Sequence, residues 1–211
     1  MWESILSLWE TLSVSRETLD RLEVYKRSLL LWNKKINLVS ENSTKDVWGR
    51  HFLDSAQVFR HIGPADCHLL DMGSGGGLPG LVLGIMAKKK HPNLKITLVE
   101  SDTRKAVFLK EVVRSQRLNS TVLSDRVEQL PRQNADIVTA RAVAPLKTLL
   151  GYAYQHMSQT GVCIFLKGIS YKNEVEEALD FWRFNISVDE SITNEGSVVL
   201  KITHLERQND R

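Results

Sequence analysis

Apolar residues recur at spacings of three and four from Leu19 through Leu22, Tyr25 and Leu29 to Trp32. That spacing puts them on one face of a helix over residues 16–35, with Ser15 as its N-cap. Upstream, Trp2, Ile5, Leu6, Leu8, Trp9 and Leu12 predict a short amphipathic helix over residues 1–12. Asn37-Leu38-Val39-Ser40 breaks the pattern. Residues 44–62 return to it with Trp48, Phe52, Leu53, Val58, Phe59 and Ile62, and Gly63-Pro64 ends the run. The period then changes. Short apolar runs predict strands near 68–72, 95–100, 120–124, 136–140 and 161–167, joined by helices near 79–90, 103–117, 144–157 and 172–183. Two further runs, about 186–192 and 197–203, are separated only by Thr193-Asn194-Glu195-Gly196. A link that short cannot carry a helical crossover, so these runs predict an antiparallel hairpin. The fold class is therefore α/β: an open, mostly parallel sheet of seven strands closing on an antiparallel strand, with a helical preface.

The chain has 211 residues, which suits one domain. Its expected parts are a helical N-terminal extension (1–62), a doubly wound core (63–205) and a polar, frayed tail (206–211). A net charge of +3 permits a nucleic-acid partner without requiring one. Cys67 and Cys163 lie far apart, each in or beside an apolar run, and read as buried reduced thiols. The six histidines show no ligand spacing and no C-x-x-C or H-E-x-x-H occurs, so no metal is expected. No signal pattern or long apolar span appears, which points to a soluble cytoplasmic protein with no membrane contact.

The chemistry gathers at residues 69–80, Leu-Leu-Asp-Met-Gly-Ser-Gly-Gly-Gly-Leu-Pro-Gly. An apolar run ends in Asp71, a glycine-dense turn follows, and a buried helix starts near Pro79. Strand, glycine turn and helix form a nucleotide-cofactor layout. Two templates overlay it. Gly75 to Gly80 satisfies G-x-G-x-x-G, the dinucleotide fingerprint. Asp71-x-Gly73-x-Gly75-x-Gly77 satisfies D-x-G-x-G-x-G, which resembles the first motif of class I S-adenosylmethionine (SAM) methyltransferases. The second also accounts for Asp71, whose carboxylate suits the ammonium of an amino-acid group and would repel a pyrophosphate.

Ligands in open α/β sheets bind at the carboxyl ends of the strands. Glu100 ends the second strand, 23 residues past Gly77, placed for the ribose hydroxyls of an adenosine. Asp125-Arg126-Val127-Glu128 follows the third strand, where an acidic side chain or the backbone could meet the adenine edge. Arg141 ends the fourth and faces the reaction centre; Lys167 ends the fifth. No Asp/Asn-Pro-Pro-aromatic motif follows the fourth strand, where Thr139-Ala140-Arg141-Ala142 stands, and no cysteine nucleophile or strand-end histidine occurs there. An acceptor that needs no deprotonation fits, and the N7 lone pair of guanine is one. Transfer then rests on positioning and desolvation.

With these residues, the chain resembles the small-subunit ribosomal RNA guanine-N7 methyltransferases (RsmG, also called GidB). The likeness is carried by Trp32 to Leu38, Arg50-His51-Phe52-Leu53-Asp54-Ser55, Asp71 to Gly80, Val99-Glu100-Ser101 with Arg104-Lys105, Arg126-Val127-Glu128, Arg141-Ala142 and Leu166-Lys167-Gly168. It implies methyl transfer from SAM to N7 of a guanine, position 527 by convention, in the 530 loop of 16S rRNA, within the 30S subunit or a precursor and by a monomer. It implies cofactor contacts from the Gly73 region, Leu78, Glu100, Val127, Glu128 and Arg141, and RNA-side roles for Arg50, His51 and Asp54. Lys34, Lys35, Arg104, Lys105 and Lys167 could add phosphate contacts, while Lys88-Lys89-Lys90 reads as a solvated helix end. The i,i+4 spacing of Arg50 and Asp54 equally predicts a plain ion pair. The chain departs from the family in Gly76 and Leu78, where alanine and phenylalanine are usual, in Val39, where threonine is common, and in lacking an evident arginine before the last strand. The residues leave three other readings open: a nicotinamide-linked oxidoreductase, a small-molecule SAM enzyme and a non-catalytic binding module.

Overall fold

The computed structural model describes residues 9–208. Most of the helix expected over 1–12 lies outside that range, as do residues 209–211. Helix α1 (Arg16–Asn33) starts where the pattern placed it, with the Ser15 hydroxyl accepting from the Thr18 N–H at 3.3 Å. Its Leu22, Tyr25 and Leu29 are fully buried.

Residues 44–62 do not form one regular helix. A 3₁₀ segment (Glu41–Asp46), a π-helical segment (Trp48–Leu53), one α turn (Asp54–Ala56) and a second 3₁₀ segment (Gln57–His61) succeed one another. Their buried residues do not share one helical stripe: Val47, His51, Phe52, Leu53, Ser55, Ala56, Gln57 and Val58 are all covered. A single 3.6-residue winding cannot bury such a run on one side, so the winding changes.

The sheet holds β1 (His68–Met72), β2 (Lys95–Val99), β3 (Ser120–Leu123), β4 (Ala135–Arg141), β5 (Met157–Lys167), β6 (Trp182–Glu190) and β7 (Val198–Arg207), in the order β3-β2-β1-β4-β5-β7-β6. The first five run parallel, and β7 is antiparallel to both β5 and β6. The helices between them are α2 (Gly80–Lys90), α3 (Thr103–Gln116), α4 (Leu146–His156) and α5 (Tyr171–Leu179). Alternate strand residues serve opposite faces. Leu69, Ile96, Leu98, Ile137 and Ile164 pack with α1, α2, α3 and the 41–61 segment. Leu70, Met72, Val138, Cys163 and Phe165 pack with α4 and α5.

Several boundaries moved. The helix expected to reach 183 stops at Leu179, because Trp182 pairs with Arg207 across the hairpin and donates its indole N–H to the Lys147 carbonyl at 3.2 Å. Strand β5 begins four residues early, at Met157 beside Ala135. Residues 206–207, expected in the tail, belong to β7. Cys67 is exposed rather than buried: it precedes β1 at the sheet margin, whereas Cys163 is buried and its thiol is pushed up to about 12. Among the described residues no helix is long and apolar enough to cross a membrane.

Candidate functional site

Sheet order reverses between β1 and β4, which leaves a crevice at the carboxyl ends of those strands. The glycine turn opens into it. Gly73, Gly75 and Gly77 adopt φ of 62°, 55° and 90°, the left-handed region that glycine enters without steric penalty. Behind the turn, the Tyr25 hydroxyl donates to the Gly76 carbonyl. Burial pushes the Tyr25 phenol up, so it stays a donor. The Asn33 side chain accepts from the N–H groups of Leu38 and Val39 at 2.8 and 3.0 Å, and Leu38 backs onto Gly76. The helical preface thus shapes the turn from below.

Asp71 does not face the crevice. It is fully buried, and its carboxylate accepts from the Gly80 N–H at 3.1 Å and the Thr139 hydroxyl at 2.8 Å. Those bonds clamp the start of α2 and strand β4 to the end of β1. A Cβ on Gly80 would stand 2.6 Å from that carboxylate, which explains a glycine there. The role expected for Asp71, partner to a ligand ammonium, does not match this arrangement: the carboxylate is fully covered and bonds within the protein. Burial, opposed by the bonds from Thr139 and Gly80, raises its pKa to about 6.

Glu100 ends β2 as expected. One carboxylate oxygen accepts from the Gly75 N–H and the other from the Asp102 N–H, both at 2.8 Å, so it faces the turn directly. Val127 is buried under the 3₁₀ turn that follows β3, and Glu128 is exposed beside it.

Arg141 is the hub of the far side. Its guanidinium donates to Asp54 Oδ2 at 3.1 Å, the Arg50 carbonyl at 3.3 Å and His51 Nδ1 at 3.1 Å. The expected Arg50–Asp54 pair is therefore replaced by Arg141–Asp54, and Arg50 turns its side chain to solvent. His51 is buried and neutral. Nδ1 accepts from Arg141, so Nε2 carries the proton and donates to the Ser43 hydroxyl at 2.8 Å. Burial, then the charges of Arg141 and Arg50, lower its pKa to about 4. With both nitrogens bonded, His51 is not the RNA-contacting group expected; it holds the segment to the sheet. Lys167 is corrected likewise. Its ammonium meets Glu174 at 2.5 Å and the Ala144 carbonyl at 3.2 Å, with a side chain 9% exposed, so it braces the loop after β4 rather than reaching a phosphate.

Sequence reasoning passed over four residues. Thr139 sits polar within an apolar strand, and Gln57 polar within an apolar stretch. That contrast was their signal. The fully buried Gln57 amide binds Ser191 and Ile192, and the Thr193 hydroxyl donates to Asp54 Oδ1 at 3.1 Å. The β6–β7 hairpin tip is thereby tied over the site. Glu174 carried no signal at all. The tip helps wall a cavity of about 600 Å³ lined by Val39, Ser43, Arg50, His51, Arg141 and Asn194.

The family model for GidB, rRNA small subunit methyltransferase G, matches residues 18–203. The chain belongs to that family. It is 48% identical over 196 residues to the ribosomal RNA small subunit methyltransferase G of Ruegeria sp. (strain TM1040), covering 93% of this chain and 95% of the relative. It is 45% identical over 208 residues to the same enzyme of Jannaschia sp. (strain CCS1), covering 98% and 99%. Among solved structures, M. jannaschii TYW2 in complex with AdoMet superposes with a TM-score of 0.56 at 16% identity, over 82% of this chain and 80% of that one. That likeness supports the fold. As a member of the methyltransferase G family the chain is an rRNA methyltransferase.

Proposed function

We propose that this enzyme transfers a methyl group from SAM to N7 of a guanine in the 530 loop of 16S rRNA. One observation carries the choice of atom. The side chains bonded to Arg141 are an ion-paired carboxylate and a neutral imidazole with both nitrogens bonded, so the site suits an acceptor whose lone pair is already free.

The residues fit an adenosyl cofactor. The turn backbone is open where side chains would intrude, since a Cβ on Gly73 would stand 2.6 Å from Val143, and Glu100 waits across it. Gly73, Gly75, Gly77 and Leu78 would cradle the amino-acid end, Glu100 the ribose, and Val127 with Glu128 the adenine. When bound, SAM supplies an electrophilic methyl carbon. Asp71 keeps the turn in place from behind, and Arg141 fixes the 50–54 segment that walls the acceptor cavity. Exposed Arg50, Lys34 and Lys35 are the phosphate contacts we favour. The acceptor is taken to be a 30S subunit or precursor, the enzyme a cytoplasmic monomer.

The test is transfer of labelled methyl from SAM to 30S subunits of a strain lacking this activity, with naked rRNA in parallel. Strand cleavage specific for N7-methylguanine then maps the product. One new cleavage in the 530 loop is expected; label at any other atom or loop overturns the reading.

A further inference from the structure

A second cavity, about 340 Å³, opens beside the first between two cation–carboxylate pairs, Arg141–Asp54 and Lys167–Glu174, with Leu166 and Val198 as apolar walls. That volume is at the low end for ligand pockets, near 300 Å³, and suits one base rather than a nucleotide string. The two carboxylates differ in what they have left to give. Asp54 accepts from Arg141, Gln57 and Thr193 across both oxygens. Glu174 accepts from Lys167 and from the Leu146 N–H at 2.7 Å through Oε2, while Oε1 takes, among the described residues, only the exposed Ser170 hydroxyl at 3.3 Å. Oε1 retains acceptor capacity, on a side chain 20% exposed at the cavity.

We infer that Glu174 is the residue that reads the acceptor guanine, taking the N–H groups of its N1/N2 edge. This deepens the N7 reading and rests on it. Guanine presents adjacent N1–H and N2–H donors, whereas adenine offers an acceptor at N1, so a carboxylate there separates the two bases. The same contact serves the chemistry. The N7–methyl bond forms as the methyl–sulfur bond breaks, no proton leaves, and the positive charge of the donor passes to the purine ring. The N1/N2 edge becomes a stronger donor as that charge develops, so its bond to a fixed carboxylate tightens in the transition state. Lys167 and the Leu146 N–H hold the carboxylate in place beforehand, which is the preorganisation this effect requires.

The experiment uses 16S rRNA ligated with a single inosine at the target guanine and reconstituted into 30S subunits. Inosine keeps N7 and N1–H and lacks the N2 amine. The wild type should favour guanosine over inosine about 10- to 100-fold in kcat/KM. Glu174→Gln should lose most of that preference and lower kcat more than it raises KM, with SAM affinity unchanged. Equal wild-type rates on guanosine and inosine, or a preference intact in Glu174→Gln, overturn the assignment while the N7 reading stands. No transfer to either substrate overturns both. If Glu174→Gln loses its circular dichroism signature, Glu174→Asp replaces it. That variant keeps the charge on a shorter reach and should also lower the preference.

Discussion

Asp71 offers a quantitative test of how the glycine turn is held. Its carboxylate has no exposure, and burial lifts its pKa from 3.8 to about 6 against the bonds from Thr139 and Gly80. That rise is worth about 3 kcal/mol at 1.36 kcal/mol per unit. The folded state binds the Asp71 proton more tightly than the unfolded chain. The associated stability is complete below 3.8, is lost as pH rises through 6, and changes little above. Asp71→Asn removes the titration. It also forfeits one of the two bonds that Asp71 makes, a penalty set by geometry and nearly independent of pH. The difference in unfolding free energy between variant and wild type should therefore move in favour of the variant as pH rises. Roughly 1.4 kcal/mol of that change falls between pH 5 and pH 7.5. Urea unfolding of both proteins across this range measures it directly, as a relative midpoint shift of about half a molar or more. Titration of His51 is common to both proteins and cancels. A difference flat with pH, or one moving in favour of the wild type, would refute the reasoning and mean that Asp71 is charged without penalty.

Other substitutions and spectra address the rest of the site. Arg141→Ala should abolish methyl transfer while leaving the circular dichroism spectrum intact, and Arg141→Lys should not rescue it, because one ammonium cannot serve Asp54, His51 and the Arg50 carbonyl in the fixed geometry of a fork. Wild-type turnover in Arg141→Ala removes Arg141 from the mechanism; in Arg141→Lys it refutes the need for the fork. Glu100→Ala should raise the Kd for SAM tenfold or more, about 1.4 kcal/mol, by calorimetry. Because Glu100 also holds the Gly75 N–H, the ligand-free protein should melt slightly earlier; unchanged affinity sinks the ribose assignment. The His51 pKa of about 4 predicts constant ring ¹⁵N shifts, in the Nε2–H form, from pH 8 down to pH 5.5. Acid should destabilise the fold as pH drops below 6.5, since the unfolded imidazole then binds the proton first. A midpoint near 6.5 in those shifts contradicts the buried, Arg141-bonded ring.

The sequence by itself determined what depends on local spacing. Short apolar runs against a period of three to four set the strands and helices, and four link residues were too few for anything but a hairpin. The glycine turn and Glu100 were legible for the same reason, as each sits within or next to a motif with its own period and spacing. Tertiary structure decided which charge meets which. Arg50 and Asp54 are four apart and could have paired, but β4 delivers Arg141 to Asp54 from 87 residues away. Lys167 reads from the sequence as facing RNA, but α5 sets Glu174 against it. Asp71 turned inward because β4 lies beside β1 and offers Thr139 at the matching register. Hydrogen bonds and ion pairs act over a few ångströms, and only the order of strands in the sheet says which residues come that close. Periodicity carries the faces of the elements; it does not carry their neighbours.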